Sequence, residues 1–245
     1  MKLLPLVALA LLTAAASSHA GEKNLFNGKD LTGWKGVPEF WSVEDGCITG
    51  KTSAQNMVKE NTFLVWQDGQ PGDFEFTCKF KLTDDEGTTK GFGNSGVQYR
   101  SKVVKPEYFV VAGYQADMDN QNHYTGMVYE EKGRGIVCKP GEKVVLSAAE
   151  KNPADPKSKD FKIEVTGKSA TPEEIQAAIH AGGWNDYKII AKGNHLQQFI
   201  NGVQTADLTD NDEKHAAKTG VIALQLHKSA TGMKVQFKDI VLKTE

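Results

Sequence analysis

Apolar and polar residues alternate with a period of two along most of the chain, which is the pattern of strands with one face in a core and the other in water. In the plainest run Phe74, Phe76, Cys78, Phe80 and Leu82 face one way, and Glu75, Thr77, Lys79 and Lys81 the other. Comparable runs lie at residues 96–100, 109–118, 126–131, 187–191, 196–200, 220–227 and 233–242. Their connections are rich in Gly, Asn and Asp. Asn201-Gly202 predicts a two-residue hairpin turn, because both residue types tolerate the positive φ such a turn demands. One helix is predicted over residues 172–181: Thr171 is its N-cap, Pro172 its first residue, Glu174 closes a capping box and Gly182 stops it. Ile175 and Ile179 mark its packed face. Many short antiparallel strands with one inserted helix predict an all-β fold, a two-sheet antiparallel jelly-roll sandwich.

One stretch is apolar without alternation, from Leu3 to Ala16 behind Lys2, and Ser18-His19-Ala20 follows it. This is a signal-peptide pattern, with cleavage expected after Ala20. About 14 apolar residues fall short of the roughly 20 that span a bilayer, so no membrane insertion is expected and the product is secreted or periplasmic. Residues 21–245 then form a single domain, a length common for all-β domains. Lys and Arg number 29 against 31 Asp and Glu, a net charge of −2. Such a balance argues against a nucleic-acid partner, which requires a basic surface. Cys47, Cys78 and Cys138 form no close pair of the metal-binding or redox kind and allow at most one disulfide.

Gly91-Phe92-Gly93-Asn94-Ser95-Gly96 has the spacing of a dinucleotide loop, but a strand follows it where that motif requires a helix, so it reads as a tight turn. The polar phase of three strands is more informative. Asn94, Gln98 and Arg100 share one phase, Gln115, Asp117 and Asp119 a second, Gln225 and His227 a third. Val97, Tyr99, Tyr114, Met118, Ile222, Leu224 and Leu226 lie opposite, as core. A solvated sheet face usually carries Lys, Glu and Thr, whereas amides, an Arg, Asp and a His are the groups that hydrogen-bond sugar hydroxyls and move protons. The chain has only two arginines, Arg100 and Arg134, so a guanidinium at Arg100 suggests use of its planar fork. His123, His195 and His215 fall in turns or loops without metal-ligand spacing. Trp184, between the helix and a strand, is either a packing residue or a platform on which a sugar ring stacks.

The residues resemble one family, the 3-keto-disaccharide hydrolase domain. The resemblance rests on Leu25-Phe26-Asn27-Gly28-Lys29-Asp30-Leu31-Thr32-Gly33-Trp34, Trp41-Ser42-Val43-Glu44-Asp45-Gly46, Asn94-Ser95-Gly96-Val97-Gln98-Tyr99-Arg100, Gly113-Tyr114-Gln115, Tyr124-Thr125-Gly126-Met127-Val128-Tyr129, Gly183-Trp184-Asn185, Asn201-Gly202 and the segment from Gly220 to His227. It implies a concanavalin A-like jelly roll, bacterial export, and a glycoside substrate whose C3 hydroxyl has been oxidised to a ketone, hence functional coupling to a sugar 3-dehydrogenase. A C3 ketone acidifies the C2 proton, so a base removes it, the C1 substituent leaves by elimination, and water adds afterwards. On this resemblance Arg100 polarises the ketone and His227 or Asp117 takes the proton. Asn94, Gln98, Gln115, Asp119, Gln225 and Trp184 form the substrate-binding set. The sequence names no certain cofactor, and the resemblance leaves room for a divalent metal on Asp117, Asp119 and His227. Many members carry Glu where this chain has Gln115. Ordinary glucanases of this fold use a Glu-x-Asp-x-x-Glu strand, and here the positions are Gln115, Asp117 and Asn120, which disfavours a pair of catalytic carboxyls. A non-catalytic carbohydrate-binding module is the competing expectation.

Overall fold

A computed structural model describes residues 21–155, 157–229 and 231–244; the expected signal peptide lies outside the described residues. The strands, in chain order, are β1 (Gly21–Asn24), β2 (Trp34–Lys35), β3 (Trp41–Glu44), β4 (Cys47–Thr52), β5 (Thr62–Trp66), β6 (Phe74–Asp84), β7 (Asn94–Lys105), β8 (Val110–Asp119), β9 (Val128–Glu131), β10 (Gly135–Cys138), β11 (Glu142–Ala148), β12 (Phe161–Lys168), β13 (Asn185–Lys192), β14 (His195–Ile200), β15 (Val203–Asp210), β16 (Val221–Leu226) and β17 (Met233–Thr244). One sheet has ten strands, in the order β12-β11-β15-β14-β13-β6-β17-β4-β3 with β1 beside β17, and the other has seven, β10-β9-β8-β7-β16-β5-β2. Among the described residues only β11 and β15 pair in parallel. The jelly-roll sandwich expected from the alternation is thus present.

The alternating residues of β6 enter the core, where Phe76, Phe80, Tyr187, Ile189 and Phe237 of the larger sheet meet Val97, Tyr99, Tyr114, Met118 and Leu224 of the smaller. Each such aromatic or aliphatic side chain stabilises the fold by roughly 1.5–3 kcal/mol on full burial. A short polar link crosses this core. The Tyr187 hydroxyl donates to Gln198 Oε1 (2.8 Å) or to the backbone carbonyl of Asp117 (3.1 Å), and Gln198 Nε2 donates to the Tyr99 hydroxyl (3.2 Å). It seats β8, the strand that carries Asp117, against the opposite sheet. Strands β5 and β12 escaped the alternation for opposite reasons. All five residues of β5 are buried, so no polar phase survives, whereas β12 is a largely exposed edge.

The strand phase breaks once where it matters. Tyr99 pairs with Tyr114 but Lys102 with Ala112, so Arg100 and Ser101 stand opposite Gly113 alone, and Arg100 takes a φ of 45°. The bulge requires Gly113, whose added Cβ would lie 2.4 Å from Ser101 Oγ. Beyond it the β7–β8 hairpin covers one end of the outer face of the smaller sheet. Phe109 and Val103 pack there with Phe63, Val65, Val111 and Ala223, and Phe63 N donates to Phe109 O (3.1 Å).

The helix, α1, spans Pro172–Ala178 and not 172–181. The capping box forms as expected, but Asn201 Nδ2 captures the Ala178 carbonyl (2.7 Å) and Asn185 Oδ1 accepts from His180 N (2.8 Å), which draws the chain out of helix before Gly182. Asn201 and Gly202 adopt positive φ (47° and 86°) in the β14–β15 turn. Cys47, Cys78 and Cys138 are buried and unpaired, so no disulfide forms among them. No helix of the described residues is long and apolar enough to cross a membrane. Ile175 is buried under α1. Its replacement by Asp places a carboxylate in an apolar contact, and the Tm should fall by more than about 5 °C, at roughly 2–4 °C per kcal/mol for a chain of this length. An unchanged melting curve would show that α1 does not dock.

Candidate functional site

The open part of the outer face of the seven-stranded sheet forms a cleft of about 420 Å³. Across it runs a row set by register: Ile136 of β10 pairs with Tyr129 of β9, Tyr129 with Gln115 of β8, Gln115 with Gln98 of β7, and Gln98 with Ala223 of β16. Alternation then aims Asp117 and Gln225 the same way as Gln115. Gly96 lies between them, and a Cβ there would meet Gln115 Cγ at 2.6 Å. The bare backbone at Gly96 is what lets the Gln115 side chain lie across the strand.

Three glutamines from three strands lock together in that space. Gln115 Oε1 accepts from Gln98 Nε2 and from Gln225 Nε2, both at 2.8 Å. Ser101, in the bulge, has its hydroxyl 2.7 Å from Gln98 Oε1, which holds the Gln98 amide with its nitrogen toward Gln115. With its carbonyl occupied twice, Gln115 presents Nε2 to Asp117 Oδ2 (3.2 Å), while Asn94 Nδ2 donates to Asp117 Oδ1 (2.9 Å). Gln225 Nε2 also approaches Glu131 Oε2 (3.4 Å), to which Asn61 Nδ2 donates (3.3 Å).

The electrostatics follow from burial without a cation. Asp117 is 3% exposed. Loss of solvent pushes its carboxyl up to about 8, against the amide hydrogen bonds of Asn94 and Gln115, which favour the anion. Burial raises Glu131 as well, opposed by Asn61, and holds His227 below the ordinary imidazole value. Near neutral pH Asp117 is therefore a neutral acid and His227 a neutral base. His227 lines the cleft, and its Nδ1 is buried without a hydrogen-bond partner among the described residues.

Of the residues expected to form a site, Asn94, Gln115, Asp117, Gln225 and His227 line the cleft, and Gln98 stands behind Gln115. Arg100 does not. The bulge turns it away, and its guanidinium donates to Gly72 O (2.8 Å), Gly193 O (2.5 Å) and Asp73 Oδ1 (2.9 Å), so it ties two loops of the larger sheet to β7. Asp119 is also spent: its carboxylate accepts the backbone N–H groups of Gln121, His123, Tyr124 and Thr125. Trp184 stands away from the cleft, with Lys238 Nζ 4.2 Å from its ring centroid. Asn120 pins the glycine turn through Gly91 O and Gly93 N. With Asp119 committed, the set Asp117, Asp119 and His227 does not fit a metal ion. Among the described residues no three His, Cys, Asp or Glu side chains gather where they could hold one.

Sequence reasoning missed Glu131, Tyr129, Asn61, Tyr124, Met127, Phe92 and Ile136, which complete the lining. Tyr129 and Glu131 share the outward phase of β9, a signal that pairing with Gln115 would have exposed. A larger cavity, about 600 Å³, lies beside Arg100, Tyr114 and Asp210. Within its lining Tyr114 bonds Asp210 and Asn194 bonds Asn211, and Arg134 reaches Asp210 from outside the lining.

The fold and the cleft define a two-sheet jelly roll with amides, two carboxyls and an imidazole on one open sheet face. Within that class the chain belongs to the family described as the 3-keto-alpha-glucoside-1,2-lyase-like domain, which it matches over residues 21–243. A 3-keto-disaccharide hydrolase from Bacteroides thetaiotaomicron is 32% identical over 133 residues, 46% of this chain and 42% of that protein, so the match spans less than half of that relative. Two solved structures are similar in fold. One is a protein from Parabacteroides distasonis provisionally assigned as a glycosyl hydrolase (TM-score 0.54, 21% identity, covering 92% of this chain and 94% of that one). The other is a carbohydrate-binding module from Bacillus subtilis (TM-score 0.51, 14% identity, 86% and 96%).

The raised Asp117 carboxyl links stability to pH. The folded state keeps this proton up to about 8, whereas an unfolded Asp releases it near pH ~3.9, so Asp117 removes stability as pH rises between those values. Asp117→Asn, which cannot ionise, should gain in Tm relative to wild type on going from about pH 4 to about pH 9, by about 2–4 °C per kcal/mol. A Tm difference that does not change with pH would show that Asp117 ionises normally.

Proposed function

We propose that the protein is an exported enzyme that cleaves the glycosidic bond of 3-keto-glycosides by elimination and hydration. The observation that carries this is a buried carboxyl, Asp117, held by amide donors in the same cleft as the His227 imidazole. The His227 imidazole, which lines the cleft, takes the C2 proton. The C2–H electrons pass into the C2–C3 bond, and charge develops on the C3 oxygen, which accepts a hydrogen bond from the Asp117 carboxyl. Arg100, buried elsewhere, takes no part. Collapse of the enolate restores the ketone, forms the C1–C2 double bond and expels the C1 oxygen, which takes its proton from the imidazolium. Water then adds at C1, its proton passing through His227 to C2, and the net reaction is hydrolysis. Gln115, Gln225 and Asn94 orient the sugar and hold Asp117. Hydrogen bonding to the developing oxyanion is worth roughly 10²–10³ in rate, and the base about 10²–10⁴. A sugar 3-dehydrogenase would supply the ketone.

The competing reading, a carbohydrate-binding module, draws on the same amides and on the fold shared with such modules. Turnover decides between them. The protein should release sugar from a 3-keto disaccharide and not from its unoxidised parent. Asp117→Asn and His227→Gln should lower kcat by about 10²–10³ and 10²–10⁴. Wild-type kcat/KM should fall as pH rises past about 8, where Asp117 loses its proton, and again on the acid side as His227 gains one. Equal binding of both sugars with no turnover would establish the binding module instead.

A further inference from the structure

The cleft is polar in its middle and apolar toward one sheet edge. The row Gln98, Gln115, Tyr129, Ile136 runs outward from β7 to β10, and the amides and Asp117 give way to an aromatic ring and then to a branched aliphatic. The turn leading into β9 adds Tyr124 and Met127, joined by the hydrogen bond from Met127 N to Tyr124 O (3.0 Å). Tyr124 and Ile136 are 40% and 39% exposed, two of the four exposed large hydrophobic residues among the described ones. Both line this cleft, which is costly to leave in water without a ligand. A second hexose placed here would bring several hydroxyls and find few partners beyond the two tyrosine hydroxyls, so its desolvation would go uncompensated.

We infer that the β9–β10 end of the cleft is a leaving-group subsite for an apolar, aromatic aglycone, so that the preferred substrates are 3-keto aryl glycosides and not 3-keto disaccharides. This rests on the proposed reaction, with the sugar ring over Gln115 and Asp117 and the C1 substituent directed toward Tyr129 and Ile136. A flat ring buries its faces against Tyr124, Tyr129, Met127 and Ile136, and nothing in that lining demands a hydroxyl. Binding energy gathered there is remote from the reacting carbons and serves to hold C2 against His227.

The test compares kcat/KM for the 3-keto derivatives of phenyl glucoside, in both anomers, and of a glucosyl-glucose disaccharide. Wild type should favour a phenyl glucoside at least about tenfold, and Ile136→Ser and Tyr124→Ser should each cut that ratio several-fold, the scale on which apolar pockets discriminate. Both residues are partly exposed, and unchanged melting of the variants would confirm that the ratio reports on the subsite. A wild type that prefers the disaccharide, or variants that leave the ratio untouched, would overturn the inference. Should neither keto-glycoside turn over, the reaction itself fails, and calorimetry with the unoxidised sugars still reads the subsite. Tighter binding of phenyl glucoside that is lost in Ile136→Ser supports it, and equal binding of both sugars refutes it.

Discussion

The Gln115 carbonyl is shared by two amide donors from neighbouring strands, and the arrangement of the cleft depends on that sharing. An amide is free to flip when its partners are ambiguous, since its two ends differ little in size. Here Gln98 and Gln225 both donate to Oε1, so Nε2 is left toward Asp117. The orientation is fixed from outside the cleft, by the Ser101 hydroxyl on Gln98. A buried network with each amide satisfied costs little, whereas one reversed amide would set two carbonyls or two NH₂ groups against each other. The same clamp can hold Asp117 without neutralising it. Amide N–H groups favour the anion, but by less than burial disfavours it, and no cation is placed to reverse the balance.

The Arg100–Ser101 bulge joins this clamp to the fold. It places Ser101 behind Gln98, sends the Arg100 guanidinium to the loops of the larger sheet, and turns the β7–β8 hairpin over the lower part of the outer face. What stays uncovered is the part of the sheet where the glutamines stand. One irregularity in one strand therefore accounts for where the cleft ends, why its amides are oriented, and why Arg100 is absent from it.

Period-two alternation made much of this legible. Gln98, Gln115, Asp117, Gln225 and His227 were found because strand phase sorts side chains between faces, and the opposing core residues confirm the phase. Arg100 failed the same logic because two residues face one across the bulge, and Gly113, which permits it, looks from sequence like any strand glycine. Asp119 lies in phase but at a strand end, where four backbone N–H groups claim its carboxylate. Glu131 and Tyr129 were missed because their place beside Gln115 depends on which strands are neighbours, which periodicity does not encode. The helix was placed correctly at its start, where Thr171 and Glu174 act locally, and wrongly at its end, where Asn185 and Asn201 act from other elements.

The protonated state of Asp117 is the claim on which the chemistry turns, and it can be observed without any substrate. Carboxyl ¹³C resonances of Asp-labelled protein, followed from acid to alkaline pH and assigned by their loss in Asp117→Asn, report the ionisation of this group directly. A resonance that titrates near 8 in wild type and is missing from the variant is the predicted result. Titration of Asp117 with the ordinary surface carboxylates, near pH ~4, would contradict a neutral acid in the cleft.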